Sequence, residues 1–168
     1  MKKLFFTAII ALFLSSGSAF SQSYLPEGNT QLNVGVGLSE WGVPFYIGLD
    51  NSISRDFTIG GEFSYRSYNE KWKDYEYHHN VMGFSGNVNY HFNSILKIPQ
   101  KFDFYAGANV GFYTWSSPDG YDGRHSNGLG LGAQVGGRVK LSNSIGLNLE
   151  LGGGNAFAGG KLGLTFKL

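Results

Sequence analysis

From Thr30 onward, apolar and polar positions alternate with a period of two, the spacing at which successive side chains of a strand point to opposite faces. Leu32, Val34, Val36 and Leu38 share one face opposite Gln31, Asn33, Gly35 and Gly37. Phe45, Ile47 and Leu49 then oppose Tyr46, Gly48 and Asp50. In the third run Phe57, Ile59, Phe63 and Tyr65 oppose Thr58, Gly60, Glu62, Ser64 and Arg66, with Gly61 on the apolar side. The fourth sets Met82, Phe84, Val88, Tyr90 and Phe92 against His79, Gly83, Ser85, Asn87, Asn89 and His91, and Val81 alone falls on the polar face. Phe104, Ala106, Ala108, Val110 and Phe112 oppose Asp103, Tyr105, Gly107, Asn109, Gly111 and Tyr113. Leu129, Leu131, Ala133, Val135, Val139 and Leu141 oppose Gly128 to Gly136, Arg138 and Lys140 at the even positions. Ile145, Leu147, Leu149 and Leu151 oppose Gly146, Asn148, Glu150 and Gly152, and Leu162, Leu164, Phe166 and Leu168 close the chain against Lys161, Gly163, Thr165 and Lys167.

Eight runs of this kind predict an all-β chain of antiparallel strands joined in hairpin order. The connections are expected at Ser39 to Val43, Asn51 to Asp56, Ser67 to His78, Asn93 to Lys101, Ser116 to Asn127, Ser142 to Ser144 and Gly153 to Ala158. Pro99 bars the fourth of these from continuing a ladder, because proline brings no N–H. No periodic helix competes in this region. A last strand with an apolar face leaves an edge open to pairing, and closure of the sheet removes it.

Alternation does not say which face is outside, and a ligand-carrying lipocalin is also an eight-stranded barrel. A soluble barrel needs long charged side chains on its outer surface. Here the polar face is instead glycine, serine, asparagine, glutamine and threonine with few charges. Those residues suit a narrow interior, since eight strands leave room for side chains and little more, and inward glycines let the sheet curl. The apolar face carries rings near the strand ends, Phe45, Tyr65, Phe112 and Trp41 toward one rim and Phe57, Phe92, Phe102 and Phe166 toward the other, as at membrane interfaces. The expected architecture is therefore an eight-stranded antiparallel up-and-down transmembrane β-barrel. With both chain ends at the inner side, the two longest connections fall on the outer side, matching the loop asymmetry of membrane barrels.

Composition narrows this further. The 168 residues suit one domain, and 26 glycines with only 4 prolines and 16% aromatic residues favour sheet over long helices. With no cysteine there is no disulfide, thiolate metal site or lipidated cysteine. Slightly negative mean hydropathy argues against a helical membrane protein but is uninformative for a barrel, where alternation hides the apolar half. Lys2 and Lys3 precede the apolar Leu4 to Leu14 and the small residues Ser15 to Ala19, the order of a secretory signal. Cleavage after Ala19 or Ser21 fits, with Ser21 preferred, giving a signal over 1–21 and a barrel over 22–168. Removing Lys2 and Lys3 from the 13 basic residues leaves 11 against 12 acidic, a net charge of −1, so no nucleic-acid partner is expected.

The final strand resembles the C-terminal assembly signal of bacterial outer-membrane β-barrels, with a polar residue at Lys161, glycine at Gly163, and hydrophobic or aromatic residues at Phe166 and Leu168. Together with the leader, the eight strands and the loop asymmetry, the chain resembles a small OmpA/OmpX-type, porin-like barrel, without a peptidoglycan-binding domain after Leu168. The resemblance implies a Gram-negative cell outer membrane as location, with outer-membrane lipid, lipopolysaccharide and the barrel-assembly machinery as partners.

Candidate chemistry lies first in the polar interior. Glu62, Arg66, Asp103, Arg138, Glu150 and Lys161 have inward parity, as do His79, His91 and Lys140. Opposite charges in a partly dry lumen must pair or stay hydrated, so they are expected to form a polar plug, with an ion path as the alternative. On the last hairpin, symmetrical closure places Gly152 opposite Gly159 and hence Glu150 opposite Lys161. His78, His79, Ser116, Ser117, Asp119, Asp122, His125 and Ser126 supply residue types for a lipid A hydrolase or acyltransferase, but no spacing fixes a nucleophile against a base. No catalytic activity and no cofactor are expected. Asp119-Gly120-Tyr121-Asp122-Gly123 lacks the further oxygen ligands of a calcium loop and reads as two Asp-Gly turns. Loops 67–78 and 116–127, with Trp72, Tyr75, Tyr77 and Tyr121 among charges, are candidates for a surface ligand.

Overall fold

The alternating runs close into a single cylinder. A computed structural model describes residues 24–39, 42–72, 75–116, 127–154 and 159–168, with the side chains of 68, 70–72 and 75–78 excepted. The strands are β1 (Thr30–Leu38), β2 (Phe45–Ser54), β3 (Phe57–Trp72), β4 (Tyr75–His91), β5 (Phe102–Ser116), β6 (Gly128–Lys140), β7 (Ile145–Gly154) and β8 (Gly159–Lys167). Each pairs antiparallel with the next, and β8 returns to β1, so the sheet is a closed up-and-down barrel with no open edge along the ring. Closure is carried by Leu32↔Phe166, Val34↔Leu164 and Val36↔Leu162.

Parity decides the two faces as the sequence implied. Leu129, Leu131, Leu149, Val110 and Phe84 stand exposed on the outer wall, whereas Gln31, Asp50, Thr58, Asn89, Asp103 and Arg138 are buried inside. This inverts a lipocalin, whose calyx is apolar. Val81, the exception in its run, points into the lumen and is buried there. Phe45, Tyr65 and Phe112 are exposed toward the upper rim, the end where β1 stops at Leu38 and β2 starts at Phe45, and Phe57 toward the lower, while Phe92, Phe102 and Phe166 are half-buried. Phe57, Tyr90 and Phe92 stack edge to face near the lower rim at centroid separations of 5.1 and 5.2 Å. Trp41 lies outside the described residues.

Three connections differ from the sequence expectation by more than a single end residue, the smallest of these changes being at Gly153 to Ala158, where Gly153 and Gly154 belong to β7 and pair with β6. Asn51 to Asp56 is not a turn throughout: β2 runs on to Ser54, with a register shift between Ser52 and Ser54, and only Arg55 and Asp56 turn. Ser67 to His78 is not a loop: β3 and β4 stay paired up to Trp72↔Tyr75. Their neighbours stop lower, β2 at Phe45↔Tyr65 and β5 at Asn80↔Ser116, so this hairpin rises about 20 Å along the strand above the ring. The segment lacks a regular apolar face, yet its tyrosines and tryptophan favour extended backbone and the pairing begun below simply continues.

At the lower end, Asn93 to Lys101 contains one helical turn, α1 (Asn93–Leu96), the only helix among the described residues. Asn93 is buried and fixes it, donating from Nδ2 to the Phe102 carbonyl (2.7 Å) and accepting the Phe104 N–H (3.3 Å). Residues 24–29 precede β1 and tuck under the lower mouth. Gly28 N–H donates to the Ser52 carbonyl (2.7 Å), Ser52 N–H to the Asn29 carbonyl (2.9 Å), and Tyr24 and Leu25 are buried.

Candidate functional site

The lumen is lined by the polar face of every strand, and its largest rings fit because glycines face them. A Cβ at Gly136 would enter the Tyr105 ring, and one at Gly163 would strike the Tyr46 hydroxyl. Side chain on one strand and glycine on its neighbour is the packing that an eight-stranded interior permits.

Five of the six charged residues expected in the lumen network meet in two clusters. In the lower one, Arg138 sits between two carboxylates, reaching Asp50 Oδ2 at 2.8 Å and Asp103 Oδ2 at 3.3 Å. Asp103 is its register partner on β5, but Asp50 is on β2, the far side of the ring. Asp50 Oδ2 also accepts from Gln31 (3.1 Å) and Asn33 (2.9 Å). His91 Nδ1 lies 2.8 Å from Asp103 Oδ1 and Nε2 lies 3.1 Å from the Thr58 hydroxyl. Arg138 stacks over the Tyr105 ring at 4.4 Å from its centre. Every member is buried, so each charge relies on these contacts.

In the upper cluster Lys161 Nζ lies 2.9 Å from Glu62 and 2.7 Å from Glu150. Glu150 is directly opposite Lys161 in the β7–β8 register, and Gly152 is opposite Gly159. Glu62 is contributed from β3, across the lumen. The Tyr105 hydroxyl donates to Glu150 at 2.8 Å and thereby links the clusters. A side-chain ladder, Asn109 to Gln134 (2.5 Å) and Gln134 to Asn89 (2.7 Å), crosses β4 to β6 at the same level. The sixth residue, Arg66, stands higher and donates to the Ser39 hydroxyl at 2.8 Å. Between Arg66 and Lys161 lies a cavity of about 60 Å³, lined also by Leu38, Ser39, Tyr46 and Glu62.

Asp50 and Tyr105 belong to this network, and Lys161 Nζ lies 5.3 Å from the ring centre of Tyr46, although the sequence did not single these three out. Their inward parity was readable, but nothing local marks which of many inward residues will be bridged. Tyr24 was likewise missed: Lys140 Nζ lies 5.1 Å from its ring centre, and burial raises the pKa of its hydroxyl above the ordinary tyrosine value.

The assembly-signal residues occupy β8 and its end. Gly163 and Lys161 face the lumen, Phe166 pairs with both Leu32 and Ile145, and Leu168 is exposed beyond the strand. Of the residues weighed for hydrolase chemistry, His79 is buried with lumen parity, whereas Ser116 is exposed and pairs with Asn80 on the outer face, so the two point to opposite sides of the wall. The side chain of His78, the residues Ser117, Asp119, Asp122, His125 and Ser126, and the loop 117–126 lie outside the description. Among the described residues, no group of acidic and histidine side chains has the spacing of a metal site.

No family model matches the chain, and no curated protein matches it in sequence. Solved structures do match. The outer membrane protein OprG of Pseudomonas aeruginosa superposes with a TM-score of 0.64 at 10% identity, over 84% of this chain and 96% of that one. The N-terminal β-barrel domain of Pseudomonas aeruginosa OprF gives 0.60 at 13%, over 84% and 98%, and Neisserial surface protein A gives 0.54 at 13%, over 83% and 94%. At such identities the likeness is one of fold. The chain has the architecture of the small outer-membrane barrels, as the resemblance of its final strand implied.

Proposed function

We propose that the chain is an integral outer-membrane barrel whose lumen is plugged by its own polar network and whose outer connections carry a structural or surface-binding role. One observation supports this above the others: the exposed wall is an apolar belt, while Asp50, Glu62, Asp103, Arg138, Glu150 and Lys161 point inward and pair with one another across the lumen. An aqueous surface of that kind would aggregate, whereas lipid accepts it. The ion pairs that cross the lumen from β6 to β2 and from β8 to β3 support a plug, since side chains held across so narrow a barrel occupy its interior. The β3–β4 hairpin rising above the ring is the element best placed to meet a ligand outside the cell. No bond-breaking step is assigned to it, and no cofactor.

The location is tested by fractionating cells: the protein should enter the outer membrane and migrate faster on gels before boiling than after. Recovery in the soluble fraction would overturn it. A narrow channel is the second reading, favoured by the cavity between Arg66 and Lys161. Planar-bilayer recordings separate the two. The plug predicts conductance at the noise level, and steady unitary currents from pure protein would replace it with the channel.

A further inference from the structure

The lower mouth carries two lysines that lie outside the two ion-pair clusters of the lumen. Lys140 ends β6 and Lys167 ends β8, the strands flanking β7, and both have lumen parity. They line one cleft together with Tyr24 and the turn residues Ser142, Asn143 and Ser144, and no carboxylate side chain lines it. Two cations and several hydroxyl and amide donors facing one space make an anion-binding chemistry, suited above all to phosphate oxygens, which only accept. The surrounding rim has the same sign. Arg55, Lys97 and Lys101 are exposed there against Glu27 and Asp56, and Asp56 already accepts from the Ser94 hydroxyl.

The form of the cleft selects among phosphates. Its volume is about 10 Å³, room for one oxygen-sized group, so a free phosphate would be held by a single corner. Immediately outside it, Leu141 and Leu168 are exposed at 62% and 70%, and Ile145 continues that apolar surface toward the belt. An anion that brings its own apolar chains gains both contacts. We infer that the Lys140–Lys167 cleft, with its Ser142–Asn143–Ser144 turn, holds the phosphodiester of an anionic phospholipid in the leaflet at the lower end of the barrel. The inference rests on the membrane reading proposed above.

The full chain, refolded in detergent, is titrated with phosphatidylglycerol and with phosphatidylcholine, and retained lipid is counted by native mass spectrometry. Wild type should retain phosphatidylglycerol in preference. Lys140→Gln/Lys167→Gln should reduce that preference about tenfold or more, since lysines near an anionic surface act nearly independently. Lys97→Gln/Lys101→Gln, outside the cleft, should leave it largely intact. Equal retention of both lipids by wild type would overturn the inference, as would an equal loss in both double variants, which would mean diffuse rim charge. Displacement of phosphatidylglycerol by equimolar inorganic phosphate would also overturn it, as would preference for a soluble peptidoglycan fragment. Heat-modifiable migration is recorded for each variant. A folded barrel without lipid preference defeats this inference alone, whereas a wild type that forms no heat-modifiable barrel defeats the membrane reading and this inference with it.

Discussion

Replacing Lys161 by methionine takes the cation from between Glu62 and Glu150 and leaves two carboxylates facing each other in the lumen. At an effective dielectric of about 20, each contact at 2.7 to 2.9 Å is worth about 6 kcal/mol before solvation is counted, and desolvating the ions offsets most of it. Breaking a fully buried pair costs about 3 to 5 kcal/mol. Lys161 is 28% exposed, and Glu62 and Glu150 are 16% and 9% exposed, so water reaches the site and about 2 to 3 kcal/mol is the better expectation. Glu150→Gln should cost less, about 1 kcal/mol, because Lys161 keeps Glu62 and the Tyr105 hydroxyl keeps an amide acceptor. Adding Glu150→Gln to Lys161→Met removes one of the two facing charges, so the double variant should be more stable than the sum of the singles by about 1 to 2 kcal/mol. Urea unfolding of the four variants in micelles reads this directly, and the Lys161→Met midpoint should fall by about 1 to 1.5 M. Additive effects, or equal costs for the two single changes, would mean that Lys161 is not shared between two carboxylates.

Arg138→Met should destabilise more than Lys161→Met, by about 3 to 5 kcal/mol, because its side chain is 1% exposed and both Asp50 and Asp103 lose their cation; the same urea series checks the order. Gly136→Val should force the Tyr105 ring aside and cost about 1 to 3 kcal/mol, and Tyr105→Ala in the same chain should recover folding yield relative to Gly136→Val alone. Phe166→Asp should block insertion while leaving export intact, because Phe166 closes the ring against Leu32 and Ile145; a normal heat-modifiable band in the outer membrane would refute this.

The sequence by itself determined which residues stand on the outer wall and which face the lumen. Parity is a local property: once one residue of a strand is placed, every second one follows, and the described side chains obey it except at the β2 register shift between Ser52 and Ser54, with Val81 as an apolar residue facing inward. Pairs across a short hairpin were legible for the same reason, since the turn sets the register, and Glu150 does face Lys161. Local pattern failed where pairing outlasts the apolar face. The β3–β4 backbone pairing continues to Trp72↔Tyr75, beyond the point where the apolar alternation of the sequence ends. Only the tertiary structure decided that Arg138 meets Asp50 and that Lys161 meets Glu62. Those partners are 88 and 99 residues apart, and their heights coincide only after closure fixes the stagger of all the strands between them. The same closure brings Tyr24, Lys140 and Lys167 to one mouth from three separate parts of the chain.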